Sequence, residues 1–350
     1  MASAPDTVII TPMIRVSYSA LIAFGLAIVS SVVLTGVVRR QAIRSSMLDH
    51  PNERSSHSVP TPRGGGLAIC AVVLAYLLWG GLSHSLPWRT VIGIGGGGAL
   101  VALSGLLDDY RSLPPYPRLM LHLLAAVWTL AWLRGFPYLS SGNATLSLGV
   151  FGPILAALGL VWATNLFNFM DGIDGFAAIE TLWVAGVGGL LLFRAGNPGL
   201  GGLALVLAGA ALGFLRWNWP PAKIFLGDVG SGFIGFVLAA LAIASENARD
   251  VPVIVWAMLF AAFIVDATIT LARRLRSGLW HQPHKTHAYQ RAVQAGWTHK
   301  RVNFGVTILN LALALLALAA VSGRIPAGMA LLAAFGLCVA AYAAVERIHR

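Results

Sequence analysis

Apolar runs of membrane-crossing length recur from one end of the chain to the other. They fall at about 14–38, 64–82, 88–107, 118–134, 149–167, 176–193, 199–215, 229–245, 251–271, 301–321 and 326–345. A hydrocarbon core about 30 Å thick is spanned by about 20 helical residues. The pattern therefore specifies an all-α, polytopic integral membrane protein with about 10–11 transmembrane helices. Only 11% of the 350 residues are charged, against about 25% in a soluble domain. The first run is too long for a signal peptide and lacks a small-residue cleavage site, so it reads as a retained span. The paired runs within 176–215 are the ones most open to miscounting. No internal repeat is visible, and residues 1–350 read as one transmembrane domain. Cys70 and Cys338 both lie in apolar runs, which offers neither a disulfide framework nor a zinc site.

The net charge of +11 would suit a nucleic-acid partner, but its distribution points to a bilayer. With the connections numbered alternately, one side collects Arg39, Arg40, Arg44, Arg54, Arg63, Arg111, Arg118, Arg216, Lys223, seven cations from Arg273 to Arg301, Arg347 and Arg350. The other side has Arg15, Arg89, Arg134, Arg194, Arg249 and Arg324. This is a positive-inside pattern. It places the N-terminus outside and the C-terminus in the cytoplasm, with no nucleic acid implied. Asp49, Glu53, Asp108, Asp109, Asp171, Asp174 and Asp228 fall on the same inner side, as a shared site would require.

Five inner segments carry candidate chemistry. "LDHPNERSSHSVPTPRGGG" (48–66) is turn-rich, with Arg54, His57, Thr61 and Arg63 suited to phosphate and three glycines that permit close backbone approach to a ligand. A basic juxtamembrane loop touching anionic lipid is the plainer alternative. "LLDDYRSLPPYPRL" (106–119) sets Asp108 and Asp109 near Arg111 and Arg118, oxygen ligands suited to a hard cation or a phosphate site. In "NLFNFMDGIDG" (165–175), Asn165, Asn168, Asp171 and Asp174 recur every third residue. Such residues fan across about half of a helix, while Gly172 and Gly175 allow it to unwind there. "RWNWPPAKIFLGDVGSGFIG" (216–235) opens a span with Asp228, as a metal ligand or a helix N-cap, and offers Phe225 and Asn218 to a base. "RRLRSGLWHQPHKTHAYQR" (273–291) carries His281, His284 and His287, read as phosphate contacts or proton handlers. "GIGGGG" (93–98) matches a dinucleotide fingerprint literally, but no strand precedes it, and helix packing explains it better.

In this order and on one side, these segments resemble the polyprenyl-phosphate N-acetylhexosamine-1-phosphate transferase family. "LLDDY", "NFMDGIDG" and "FLGDVGS" are similar to its three acidic signatures, "PNERSSHSVPTPRGGG" to its first cytoplasmic loop and "PHKTHAYQ" to its histidine motif. The resemblance covers roughly 48–300, leaving 301–350 as C-terminal membrane helices. It implies catalytic roles for Asp108, Asp109, Asp171, Asp174 and His287. It implies substrate contacts from Asn168, Asn218, Phe225, Thr61, Arg63, Arg118 and His284, with Phe225 stacked on uracil. Asp228, with Asp171, would hold Mg2+, or Mn2+ in its place. The expected partners are a UDP-HexNAc donor, undecaprenyl phosphate and the lipid bilayer; a homodimer is one assembly open to it. The expected setting is the bacterial inner membrane, multi-pass, with the site at the cytoplasmic rim.

The implied reaction moves HexNAc-1-phosphate, from GlcNAc or a related sugar, onto undecaprenyl phosphate. UMP leaves, and the lipid-linked sugar initiates O antigen or another cell-surface polysaccharide. "HKTHAYQ" departs from the adjacent histidines of the peptidoglycan branch, which makes the phospho-MurNAc-pentapeptide transferase the alternative within the family. His122 also replaces a commoner glutamine. A secondary transporter is the rival class. It would use ionisable groups near the midplane, where only Asp266 is expected, with Arg273 two turns away as its partner.

Overall fold

The computed structural model describes residues 7–11, 14–49, 59–141, 144–278 and 285–349. Arg54, His57, His281 and His284 lie outside the described residues. In chain order the helices are α1 (Tyr18–Arg44), α2 (Leu67–Leu82), α3 (Trp88–Arg111), α4 (Pro115–Leu133), α5 (Phe151–Met170), α6 (Phe176–Arg194) and α7 (Pro198–Asn218). They continue with α8 (Asp228–Asn247), α9 (Val253–Leu259), α10 (Ala261–Arg276), α11 (Ala288–Gln294), α12 (His299–Val321) and α13 (Ala327–His349). Strand among the described residues is confined to short two-stranded pairings.

Every apolar run lies mainly on helix. Among the described residues, eight helices are long and apolar enough to cross a membrane alone, and α9 with α10, bent by 77°, makes a ninth. The other two of the eleven apolar runs form α2, an apolar helix of only 16 residues, and α4, which opens on Pro115, Tyr116, Pro117 and Arg118. The paired runs within 176–215 are two separate helices. Asn197 ends the link between them by accepting a hydrogen bond from Leu200 N at 3.0 Å, and Pro198 follows at the first helical position, where its missing N–H is not needed.

α8 is the hub. From Val229 to Glu246 all but one of its residues are buried, and it packs between α3 and α5, while α7 packs between α1 and α6. Lipid tails are as apolar as leucine, so helices associate in a bilayer largely through close van der Waals contact at small residues. The glycines of "GIGGGG" do this. A Cβ on Gly93 would stand 3.0 Å from Trp132 Cβ of α4, and one on Gly98 would stand 2.9 Å from the Phe233 ring of α8. On the rim, α1 turns Ile22, Leu26, Val29 and Val33 outward, as a lipid-facing helix should.

The described bundle has two chemically different ends. One gathers the C-termini of α3, α5, α7 and α10 with the N-termini of α8 and α12, and it receives the acidic segments. The other carries the hairpin of Tyr138–Ser141 with Ala144–Ser147, the N-terminus of α3 and the C-termini of α4 and α8.

Candidate active site

Asp108 and Asp109 are neighbours with different tasks. Asp109 turns its carboxylate onto the start of α8: Oδ1 accepts from Asp228 N at 3.1 Å and Oδ2 from Val229 N at 3.2 Å. Free amides at a helix N-terminus favour an anion, and here Asp109 supplies it. The N-cap position itself is Gly227, with no side-chain cap, so the helix-cap alternative for Asp228 does not hold. Asp108 instead pairs with the Arg118 guanidinium and accepts from Leu113 N at 2.5 Å.

Asp228 is thereby presented to the inside of the cluster. Its Oδ1 accepts from Asn168 Nδ2 at 2.6 Å, and its Oδ2 lies 3.5 Å from Arg118 Nη1. Asn168 also donates to Ser231 Oγ at 3.1 Å. α3 and α8 meet this closely because Gly105 faces the Asp228 carbonyl, where any Cβ would collide.

The glycines of the first loop serve the same purpose. Gly65 N donates to Phe225 O at 2.9 Å, Gly66 N to Leu226 O at 2.8 Å, and Phe225 N to Pro62 O at 2.8 Å. The backbone they bring close is that of the chain before α8. Phe225 is thereby fixed at the rim with its side chain half-buried. Arg63 reaches the Asp109 carbonyl, and Thr61 is buried with its hydroxyl donating to Val59 O at 2.9 Å.

α5 ends at Met170 and α6 begins at Phe176, so the glycine-bearing acidic stretch is unwound. Gly175 takes φ +79°, a backbone state that disfavours side chains. The four residues at three-residue spacing separate as the helix geometry requires. Asn165 turns back to Val161 O at 2.7 Å, Asn168 reaches Asp228, and Asp171 occupies the end of α5. No hydrogen bond to the Asp171 carboxylate is found among the described residues. Burial pushes its carboxyl well above the usual range, and the charges of Asp228, Asp109 and Asp174 push it further.

Asp174 faces the other way. Its Oδ2 accepts from Ala222 N at 3.0 Å and lies 3.3 Å from His299 Nδ1, while its carbonyl accepts from Asn303 Nδ2 at 2.8 Å. Asn218 is buried with both ends of its amide engaged: its Oδ1 accepts from Gly175 N at 2.8 Å and its Nδ2 donates to Ile224 O at 3.0 Å. In this structure it clasps two site loops together, so its amide is not presented to a base.

His287 is buried at the start of α11, with Nδ1 3.1 Å from Asp266 Oδ1. Asp266 also accepts from Ala288 N at 3.0 Å and Thr270 Oγ1 at 3.2 Å. Its role is thus to seat the histidine segment on α10. Arg273 pairs with Glu346 rather than Asp266, so the midplane pair a transporter would need does not form. Asp266 is also not the sole acid within a span. Glu180 of α6 has no exposed surface and accepts from Asn310 Nδ2 of α12 at 2.7 Å.

The sequence reading missed Tyr289, His299 and Asn303. Tyr289 donates to Phe169 O at 3.0 Å and lies over Gly172. His299 and Asn303 fall at the four-residue spacing that puts two side chains on one helix face. His122, one turn past Arg118, is buried with its Nδ1 unpartnered among the described residues.

A carboxylate cluster with arginines beside it, at one end of a membrane bundle, suits an integral-membrane enzyme acting on anionic groups. The comparisons with known proteins agree. Residues 91–246 match the model of Glycosyl transferase family 4. The chain is 35% identical to a decaprenyl-phosphate N-acetylglucosaminephosphotransferase of Mycolicibacterium smegmatis, over 76% of this chain and 73% of the relative. It is 34% identical to that of Mycobacterium tuberculosis H37Rv, over 82% and 78%. It is 29% identical to a probable undecaprenyl-phosphate N-acetylglucosaminyl 1-phosphate transferase of Bacillus subtilis, over 82% and 80%. The chain belongs to the polyprenyl-phosphate N-acetylhexosamine-1-phosphate transferase family, and it is a multi-pass membrane phosphotransferase.

Proposed function

We propose that the protein transfers GlcNAc-1-phosphate from UDP-GlcNAc to undecaprenyl phosphate at the cytoplasmic rim of a bacterial inner membrane. UMP is released, and the lipid diphosphate sugar initiates O antigen or a comparable cell-surface polysaccharide. The observation that carries this reading is the meeting of Asp108, Asp109, Asp171 and Asp228 with Arg118 at one end of the bundle. Both substrates are anionic at the reacting centre, and phosphoryl transfer relies on positioning and electrostatic compensation. The GlcNAc assignment rests on the activity in the relatives' names.

The donor set suits Mg2+. Asp228 and Asp171 are hard-oxygen ligands, and the Asp171 carboxylate lacks a donor among the described residues and is crowded by like charge. Mg2+ is commonly bound through one or two carboxylates plus substrate phosphates and water, and these two carboxylates would serve in that way. When bound, the ion would neutralise the diphosphate and the departing UMP. Asp228 and Asp171 would hold it, with Asn168 orienting Asp228 and Asp109 fixing the helix that carries it. Arg118 would offset charge on the lipid phosphate beside Asp108. Phe225 would stack on uracil near the loop that Asp174 closes, and His287, seated by Asp266, would face the diphosphate.

Donor carrying label in its β-phosphate should pass that label to the lipid, and added UMP should drive the reverse reaction. Label recovered as UDP would overturn the assignment. Topology is tested separately. A cysteine in place of Lys300 should stay unlabelled by an impermeant thiol reagent in intact cells, with native Cys70 and Cys338 buried. Ready labelling would put the carboxylate end on the wrong side.

A further inference from the structure

At the end of the bundle opposite the carboxylates lies a cavity of about 390 Å³, lined by loops and helix ends from across the chain. Its size falls within the range of small-ligand sites. Arg89 of α3 and Arg134, just past α4, both line it. Neither side chain makes a hydrogen bond or ion pair among the described residues. Arg249 stands at the rim, stacked 4.9 Å over the ring of Tyr138, which also lines the cavity.

This gathering runs against the charge plan of the chain. The sequence places only six basic residues on this side, and three of them, from three separate connections, meet here. The nearby acids do not line it, and both are hydrogen-bonded. Glu246 accepts from Ser140 N at 2.8 Å and Val253 N at 2.6 Å, and Asp250 from Asn197 Nδ2 at 2.6 Å. α3 also opens beside the cavity with no side-chain cap.

A second observation is independent of charge. Asn247 lines the cavity, and its Nδ2 donates to the carbonyls of Leu133 and Gly135, both at 2.9 Å. That fixes its other end as oxygen, and this Oδ1 is buried without a donor. The cavity therefore presents cations with no anion in its lining, and in its wall lies a buried acceptor without a donor among the described residues.

We propose that this cavity binds a phosphate-bearing headgroup that also carries a hydroxyl, presented by a lipid of the leaflet opposite the carboxylate cluster. Arg89 and Arg134 take the phosphate, and Asn247 Oδ1 accepts from the hydroxyl. Trp88 and Trp132, both exposed and each within two residues of one of these arginines, place the site at headgroup depth, where tryptophan concentrates. Phosphatidylglycerol has this chemistry, and sn-glycerol 3-phosphate is its soluble counterpart.

The test uses Ser85, which lines the cavity and is exposed. In the purified full-length Ser85→Cys protein, phosphatidylglycerol nanodiscs should slow maleimide labelling several-fold relative to phosphatidylcholine. Arg89→Gln with Arg134→Gln should abolish that protection, while Arg324→Gln, another basic residue of the same side, should leave it intact. The melting temperature in phosphatidylcholine should not change, which separates loss of the site from loss of the fold. Protection that survives the double substitution, or no protection by phosphatidylglycerol, would overturn the site. Arginine-dependent protection by sn-glycerol 3-phosphate alone would overturn the lipid as its source.

Discussion

Asp228→Asn should lower turnover by about 100-fold or more, the scale set by removing one group that stabilises charge in the transition state, while leaving the protein folded in the membrane. The substitution is nearly isosteric, and the start of α8 does not depend on it, because Asp109 holds the amides of Asp228 and Val229. It removes the negative charge beside Arg118 and turns one metal-binding oxygen into a donor. Asn168 already donates to the other oxygen, so the new amide nitrogen must face Arg118. UMP release measured across a Mg2+ titration reads the effect. A large loss of kcat that added Mg2+ does not restore is expected, and near-normal turnover would remove Asp228 from the metal site.

Asp171→Asn should separate activity from stability. A loss of about 100-fold is expected on the same grounds, together with a higher melting temperature in metal-free buffer. The sign follows from the raised pKa of Asp171. The unfolded chain ionises this carboxyl in the ordinary range, whereas the folded protein resists doing so. Its contribution to stability is therefore present at acid pH and is lost as pH rises through the interval between the two values. The substituted amide does not titrate, so the variant should melt higher at neutral pH and converge with wild type in acid. The gain should be modest, since about 1 kcal/mol moves the melting temperature by about 2–4 °C in a domain of 150–250 residues and by less in a chain of this length. Adding Mg2+ should stabilise the wild type more than the variant. A melting curve lowered by the substitution at neutral pH would show that the Asp171 carboxylate is held by favourable contacts instead.

Much of this architecture was legible in the sequence because a bilayer imposes a length and a charge rule that act on every span. The apolar runs became helix, and the acidic stretches that the positive-inside rule puts on one side do meet. The division of labour within each motif was not legible. Asp108 and Asp109 are chemically alike, and only the position of α8 decides that Asp109 binds its amides while Asp108 meets Arg118. Asn218 and Phe225 lie seven residues apart, yet one is buried between two loops and the other stands at the rim. His299 went unnoticed because it belongs to a segment whose apolar continuation suggested packing alone. Its partner Asp174 lies 125 residues earlier in the chain, a distance that local periodicity does not register.

The same separation acts in time as well as in space. Asp174 receives His299 and Asn303, and Glu180 receives Asn310, only after α12 has left the ribosome. At about 5–20 residues per second, the gap between Asp174 and His299 amounts to roughly 6–25 seconds. Through that interval a buried acid of α6 sits in the membrane without the amide that later satisfies it, and the loop carrying two acidic residues is unsecured on one side. Water, lipid headgroups or the insertion machinery must shelter these groups until the final helices dock. The transferase therefore depends on α12 for its completion, and a nascent chain that stalls before α12 is an unfinished enzyme however many of its acidic signatures it already displays.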